Sequence, residues 1–95
     1  MARRLAMGRL YITRLRPAVD PVRAEYLLIF GSPTTAEVNL NLGSVRGLDT
    51  LTEVLRAARV PLGEIERAWS ALVNDTVHEI TGVTLTPAVI RLLGL

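Results

Sequence analysis

Two extended segments separated by a turn decide the fold of this chain: EYLLIFGSPTTAEVNLNL, residues 25–42. Residues 25–30 are apolar on both faces and rich in strand-forming residues, which is typical of a strand buried on both sides or of a central strand. Residues 37–42 alternate between polar and apolar, and residues 31–35 carry a turn signal. The segment therefore predicts an antiparallel β-hairpin with a loop of about five or six residues. The side chains of its second strand that we expect to face the core are Val38, Leu40 and Leu42.

A third strand is predicted upstream, in RLYITRLR, residues 9–16. Its residues alternate between two faces, as in a strand. One of these faces carries Leu10, Ile12, Arg14 and Arg16. Two prolines follow and indicate an irregular connection to the hairpin. Together the three segments predict a three-stranded antiparallel sheet.

Two helices are predicted to follow as an αα-hairpin. The first, residues 48–59, has an apolar stripe on one face, and Thr50 and Glu53 fit a capping box near its start. Its stripe consists of Leu48, Leu51, Leu55 and Ala58. On the stripe of the next helix lies Trp69, which we expect to be substantially buried between the two helices.

The second helix is open to two interpretations. Its apolar stripe continues over residues 63–81, and Gly82 stands where a glycine commonly ends a helix. The Asn-Asp pair at 74–75 is unfavourable inside a helix. The alternative is therefore a shorter helix that ends near Val73, followed by a strand over residues 77–85. The full stripe consists of Ile65, Ala68, Trp69, Leu72, Val73, Thr76, Val77 and Ile80.

A short helix is predicted at the C-terminal end, with Thr86 as its cap, Pro87 at its first position and Gly94 at its end. The length fits a single domain over residues 1–95, although residues 1–8 are open to a second interpretation as a flexible basic arm. The expected fold class is α+β. It comprises a β-hairpin within a three-stranded antiparallel sheet, an αα-hairpin packed on one sheet face, and the short C-terminal helix.

Composition limits the classes of function. The chain is 49% hydrophobic, with a mean hydropathy of +0.34, so a partner or a second copy, as in a homodimer, is expected to cover part of its apolar surface. Because the chain has no cysteine, disulfides and thiolate chemistry are excluded. No apolar run reaches the roughly 18 residues of a membrane span. We therefore expect a cytoplasmic protein with no membrane partner.

The basic residues are distributed unevenly. Residues 1–24 carry six arginines against one acid, a net charge of +5, whereas residues 25–95 carry five against eight, a net charge of −3. Candidate contacts to an anionic partner are Arg3, Arg4, Arg9, Arg14 and Arg16. Two explanations remain open: contacts with the phosphates of a nucleic acid, or ion pairs with the acids of the same domain.

The outward side chains of the hairpin's second strand form another candidate interaction surface. They are Glu37, Asn39 and Asn41. If this strand lies at a sheet edge, its free backbone groups can pair with a second chain. The alternative is a solvated sheet face.

Catalytic and metal-binding patterns are absent from the sequence. His78 is the single histidine and has two acids nearby, which are too few ligands for a good metal site. We expect it on a solvated helix face. The chain has no glycine-rich phosphate loop and no nucleophile elbow. We therefore expect no catalytic residue, no cofactor and no enzymatic activity.

These features favour a small, non-catalytic binding module that acts through protein–protein interaction. An accessory or inhibitor-like protein of phage or mobile-element type fits this description. The alternative is a nucleic-acid-binding protein that uses the arginine-rich N-terminal segment.

Overall fold

A computed structural model describes residues 7–15, 20, 22–31, 39–75 and 77–95 of the chain. Strands precede most of the helices, which confirms the predicted α+β class. The elements, in chain order, are β1 (Met7–Leu15), β2 (Glu25–Gly31), β3 (Asn39–Arg46), α1 (Leu48–Ala57), α2 (Leu62–Asn74), β4 (Val77–Thr84) and α3 (Pro87–Leu92).

The four strands form one antiparallel sheet in the order β3-β2-β1-β4. The predicted hairpin is present, with Glu25 opposite Arg46 and Gly31 opposite Asn39. Residues 32–38, which include Val38, lie outside the described part of the chain. The sheet has one strand more than the three predicted, because β4 pairs with the free side of β1.

The N-terminal end of β1 overlaps the segment interpreted as an arm. Met7 and Gly8 are strand residues, while residues 1–6 lie outside the described residues. A Cβ atom at Gly8 would collide with the carbonyl oxygen of Gly31 and approach the ring of Phe30. Glycine is therefore required here for the close approach of two backbones.

The long helix predicted over residues 63–81 is wrong beyond residue 74, and the shorter helix followed by a strand is confirmed. At its end the side-chain amide of Asn74 donates to the carbonyl of Ser70 at 2.9 Å, and Asp75 is extended with a φ of −136°. Such side chains compete for backbone hydrogen bonds and disfavour helix interiors. Gly82 ends no helix: it lies at an irregularity of β4, with a φ of +69°.

One core lies between the helices and the inner face of the sheet. Alternate strand residues point into it, as the period of two requires. The buried strand residues are Leu10, Ile12, Tyr26, Leu28, Phe30, Leu42, Val45, Ile80 and Val83. The helices contribute Leu48, Leu51, Val54, Leu55, Ile65, Ala68, Leu72 and Val89. The stripe predicted for α1 is thereby confirmed, and so are Ile65, Ala68 and Leu72 of the stripe predicted for α2.

Two side chains expected in the core lie at its rim. Trp69 is 39% exposed, because it projects from the flank of α2 and its indole N–H donates to the Thr52 hydroxyl at 2.9 Å. Leu40 is 51% exposed, because it lies near the end of β3, at the edge of the sheet. The predictions that both would be buried are wrong.

The helix caps follow the predicted signals at α3 but not at α1. The Thr86 hydroxyl accepts from the backbone N–H of Val89 at 3.2 Å, and it donates to the carbonyl of Ala57 at 2.6 Å. One side chain therefore caps α3 and ties it to the end of α1. At α1 the cap residue is Gly47, without a side-chain hydrogen bond, so the predicted capping box is wrong.

Candidate functional site

The sheet has a second face, which points away from the helices and which we call the outer face. Its residues alternate along the strands with buried inner-face residues. The centre of the outer face consists of Tyr11, Thr13, Leu27 and Ile29, and Leu15 extends it to the end of β1. Its charged residues are Arg9, Glu25, Arg46 and Glu79. All nine side chains are half-buried or exposed, and none is buried.

Pairing of the two central strands creates the apolar part of this face. Tyr11 lies opposite Ile29, and Thr13 lies opposite Leu27. Directly opposite residues of antiparallel strands have Cβ atoms about 4.5–5.5 Å apart. These side chains therefore form one contiguous patch on the surface of the sheet.

Two ion pairs lie at opposite corners of the outer face. Arg9 Nη1 is 3.6 Å from Glu79 Oε1, and Arg46 Nη2 is 3.7 Å from Glu25 Oε1. Arg9 and Glu25 belong to opposite ends of the β1–β2 ladder, which separates the two pairs. Ion pairs with this much exposure stabilise a fold by less than about 1 kcal/mol. Their main effect is that, among the described residues, the outer face carries two positive side chains paired with two negative ones.

Arg14, which the sequence offered as a candidate contact to an anionic partner, lies on the inner face with Leu10 and Ile12. Its Nη1 donates to the carbonyl of Leu72 at 2.8 Å, at the C-terminal end of α2. The last turn of α2 has no basic residue of its own, so Arg14 supplies the positive charge that a helix C-terminus favours. Burial raises the pKa of the neighbouring Tyr26 hydroxyl above its ordinary value of 10.0, and the Arg14 charge opposes that shift.

The candidate arginines are not gathered on one surface. Arg9 and Arg14 both belong to β1 but point to opposite faces of the sheet. Arg3, Arg4 and Arg16 lie outside the described residues. Of the five candidates, Arg9 is thus the one that the structure places on the outer face.

Two of the three candidate strand-face residues, Asn39 and Asn41, belong to the edge strand β3. Asn41 is exposed, and its Oδ1 accepts from the backbone N–H of Gly43 at 2.8 Å. Asn39 begins β3 opposite Gly31, and Glu37 lies outside the described residues. The position of β3 at the sheet edge satisfies the condition for pairing with a second chain.

His78 lies on β4, opposite Ile12, rather than on the solvated helix face that was expected. It is half-buried, and its Nε2 atom is enclosed without a hydrogen-bond partner in the described structure. The neighbouring Glu79 points to the outer face, where it pairs with Arg9. Within the described ranges no cluster of three or more histidine and carboxylate side chains is arranged to hold a metal ion.

The outer face as a whole was missed at the level of the sequence, although its signal was present. Residues 25–30 are apolar on both faces, which predicted either a strand buried on both sides or a central strand. The helices cover the inner face of β2, which carries Tyr26 and Leu28. On the outer face, Leu27 and Ile29 are half-buried. Tyr11 and Leu15 extend the same surface on the neighbouring strand.

Comparisons with protein families, curated proteins and solved structures found no match to this chain. None of the helices in the described part of the chain is long and apolar enough to cross a membrane.

Proposed function

We propose that this chain is a non-catalytic protein-interaction module that binds its partner through the outer face. One observation carries the proposal. The sheet has an apolar-centred face, with Tyr11, Leu27 and Ile29, that points away from the described helices. Contiguous apolar patches on soluble domains commonly mark interaction sites. Aromatic residues at the centre of such a patch, with charges at its rim, match the usual composition of protein interfaces.

The charges of the outer face favour a protein over a nucleic acid as the partner. Phosphate binding requires a surplus of positive side chains. Here Arg9 is balanced by Glu79 and Arg46 by Glu25. Arg14 donates to the end of α2 instead. These contacts support the explanation in which arginines pair within the domain.

Nucleic-acid binding is retained as a second candidate because of one contact. The guanidinium of Arg9 lies 6.0 Å from the ring centroid of Tyr11 on the outer face. A tyrosine beside an arginine on a sheet surface can stack on the base of a single strand. This candidate requires Arg3, Arg4 or Arg16 to add positive charge near the same surface.

The test compares one substitution on each side of the domain. Ile29→Glu places a charge at the centre of the outer face, while Ile90→Glu does the same on α3, where Ile90 is 39% exposed. We expect nuclease-treated lysate of the native host to yield captured proteins with the wild type and with Ile90→Glu, but not with Ile29→Glu. Circular dichroism of each variant verifies that it is folded.

Two results would contradict the proposal. Equal capture by Ile29→Glu and Ile90→Glu would place the binding surface elsewhere. Loss of all partners on nuclease treatment, together with salt-sensitive oligonucleotide binding that Arg9→Gln weakens, would favour the nucleic-acid function instead.

A further inference from the structure

We infer that the partner seated on the outer face is a second copy of this chain, packed sheet against sheet about a two-fold axis. This inference rests on the proposed function, because it uses the same surface. It depends on three properties of that surface: its position on the face of a sheet, its balance of charge and the way its residues match their own symmetry copies.

The position of the apolar residues on the face of a sheet favours a second sheet as their partner. The centre lies on two neighbouring strands, and the cross-strand pairs Tyr11–Ile29 and Thr13–Leu27 project from one sheet surface. Two sheets can pack face to face at a separation of about 10 Å, with their strand directions within about 30° of each other because each sheet is twisted. The outer face of a second copy has the same dimensions and the same apolar centre.

The positive and negative side chains of the outer face are paired with each other, so this face does not favour a charged partner. Arg9 and Arg46 each have a glutamate of the same chain within 4 Å, at 3.6 and 3.7 Å. These pairs lie at the corners, so they can stay at the solvated rim when the centre is covered. A strongly acidic or basic partner would have to compete with the existing ion pairs.

A two-fold axis that lies between the two packed sheets and parallel to them brings no like-charged residues of β1 and β2 together. With the axis along the strands, Arg9 lies over the partner's Gly31 and Glu25 over the partner's Leu15, as the register dictates. With the axis across the strands, these matches are exchanged: Arg9 lies over the partner's Leu15 and Glu25 over the partner's Gly31. Either arrangement is therefore compatible with self-association, and both place apolar residues at the centre.

The area of the outer face limits the affinity that we expect for the dimer. Four strands of seven to nine residues cover about 19 by 25 Å, or roughly 480 Å² per copy. A standard stable interface buries about 800 Å² per partner. We therefore expect a weak, reversible dimer with a Kd in the micromolar range or above.

The chain's lack of cysteine makes a site-specific test direct. Thr13→Cys places one thiol near the centre of the outer face, and Ser70→Cys places one on the exposed side of α2 as the matched control. Because packed sheets lie about 10 Å apart, a bis-maleimide of similar length can join two Thr13→Cys copies about either axis. We expect cross-linked dimer from Thr13→Cys that increases with protein concentration, and little from Ser70→Cys.

Sedimentation of the unmodified chain provides the second measurement. We expect its mass to rise from monomer towards dimer across the micromolar range, and we expect Ile29→Glu to remain monomeric. Adding Ile29→Glu to Thr13→Cys should abolish the cross-link, and circular dichroism reports whether that variant is folded. If Ile29→Glu does not fold, the contrast between Thr13→Cys and Ser70→Cys still decides the question.

Three outcomes would overturn the inference: a constant monomer mass up to millimolar concentration, equal cross-linking of the two cysteine variants, or an unchanged dimer in folded Ile29→Glu. The failure is distinguishable from failure of the proposed function. A monomer that still captures foreign proteins, and loses them on Ile29→Glu, removes the second copy and keeps the outer face as the binding surface.

Discussion

At the scale of single residues, position on the strand decides what each arginine does. Arg9 and Arg14 lie five residues apart on β1, so they point to opposite faces of the sheet. The alternation is visible in the sequence, and Arg14 was correctly placed with Leu10 and Ile12. The sequence does not show that this face is the covered one, or that the end of α2 lies above Arg14. That arrangement depends on how the helices cross the sheet.

The role assigned to Arg14 can be tested by comparing the stability lost when Arg14 is replaced with the stability lost when Arg9, on the same strand, is replaced. Arg14→Met removes the hydrogen bond to the Leu72 carbonyl and the charge at the end of α2. We expect it to lower the free energy of unfolding by about 1–2 kcal/mol. Arg9→Met removes an exposed ion pair and should cost less than about 1 kcal/mol. Urea unfolding measures both, and an equal loss would indicate that Arg14 has no special contact with α2.

At the scale of elements, the boundary between α2 and β4 shows the limit of periodicity. A helical stripe and a strand can share positions over a short stretch, and Ile80 faces the core in either interpretation. The Asn-Asp pair at 74–75 carried the correct local signal, because those side chains disfavour a helix interior. Val77 differs: the helical stripe predicts that it is buried, and the strand leaves it 50% exposed.

Thr86 joins two elements, and its hydroxyl can be tested apart from its size. The side chain is 4% exposed and bonds both the Ala57 carbonyl and the Val89 N–H. Thr86→Val keeps the volume but leaves both backbone groups unpaired, so we expect a loss of about 1–3 kcal/mol. Thr86→Ser keeps the hydroxyl and loses one methyl group, which costs about 0.8 kcal/mol. If denaturant unfolding shows that Thr86→Ser is less stable than Thr86→Val, the role assigned to the hydroxyl is contradicted.

At the scale of the whole molecule, the sheet is covered on one side by the described helices, and this determines where the candidate binding surface lies. The sequence predicted the strands, the first helix and the α+β class from local patterns. It could not predict which apolar face of residues 25–30 lies away from the described helices, because that depends on the number of layers in the fold. The fourth strand has a similar cause. β4 joins the sheet through contacts with β1, which is more than sixty residues away in the sequence.

The central claim is that the outer face is the surface on which this protein binds, and exposure of neighbouring methyl groups tests it directly. A soluble paramagnetic agent attenuates the NMR signals of exposed methyl groups. In dilute protein we expect attenuation at Leu27 and Ile29 but not at Ile12 and Leu28, which are buried at 0% exposure. At concentrations where the chain associates, or with a captured partner added, Leu27 and Ile29 should become protected. Protection that appears instead at Leu62 or Ile90, with Leu27 and Ile29 still attenuated, would contradict the account.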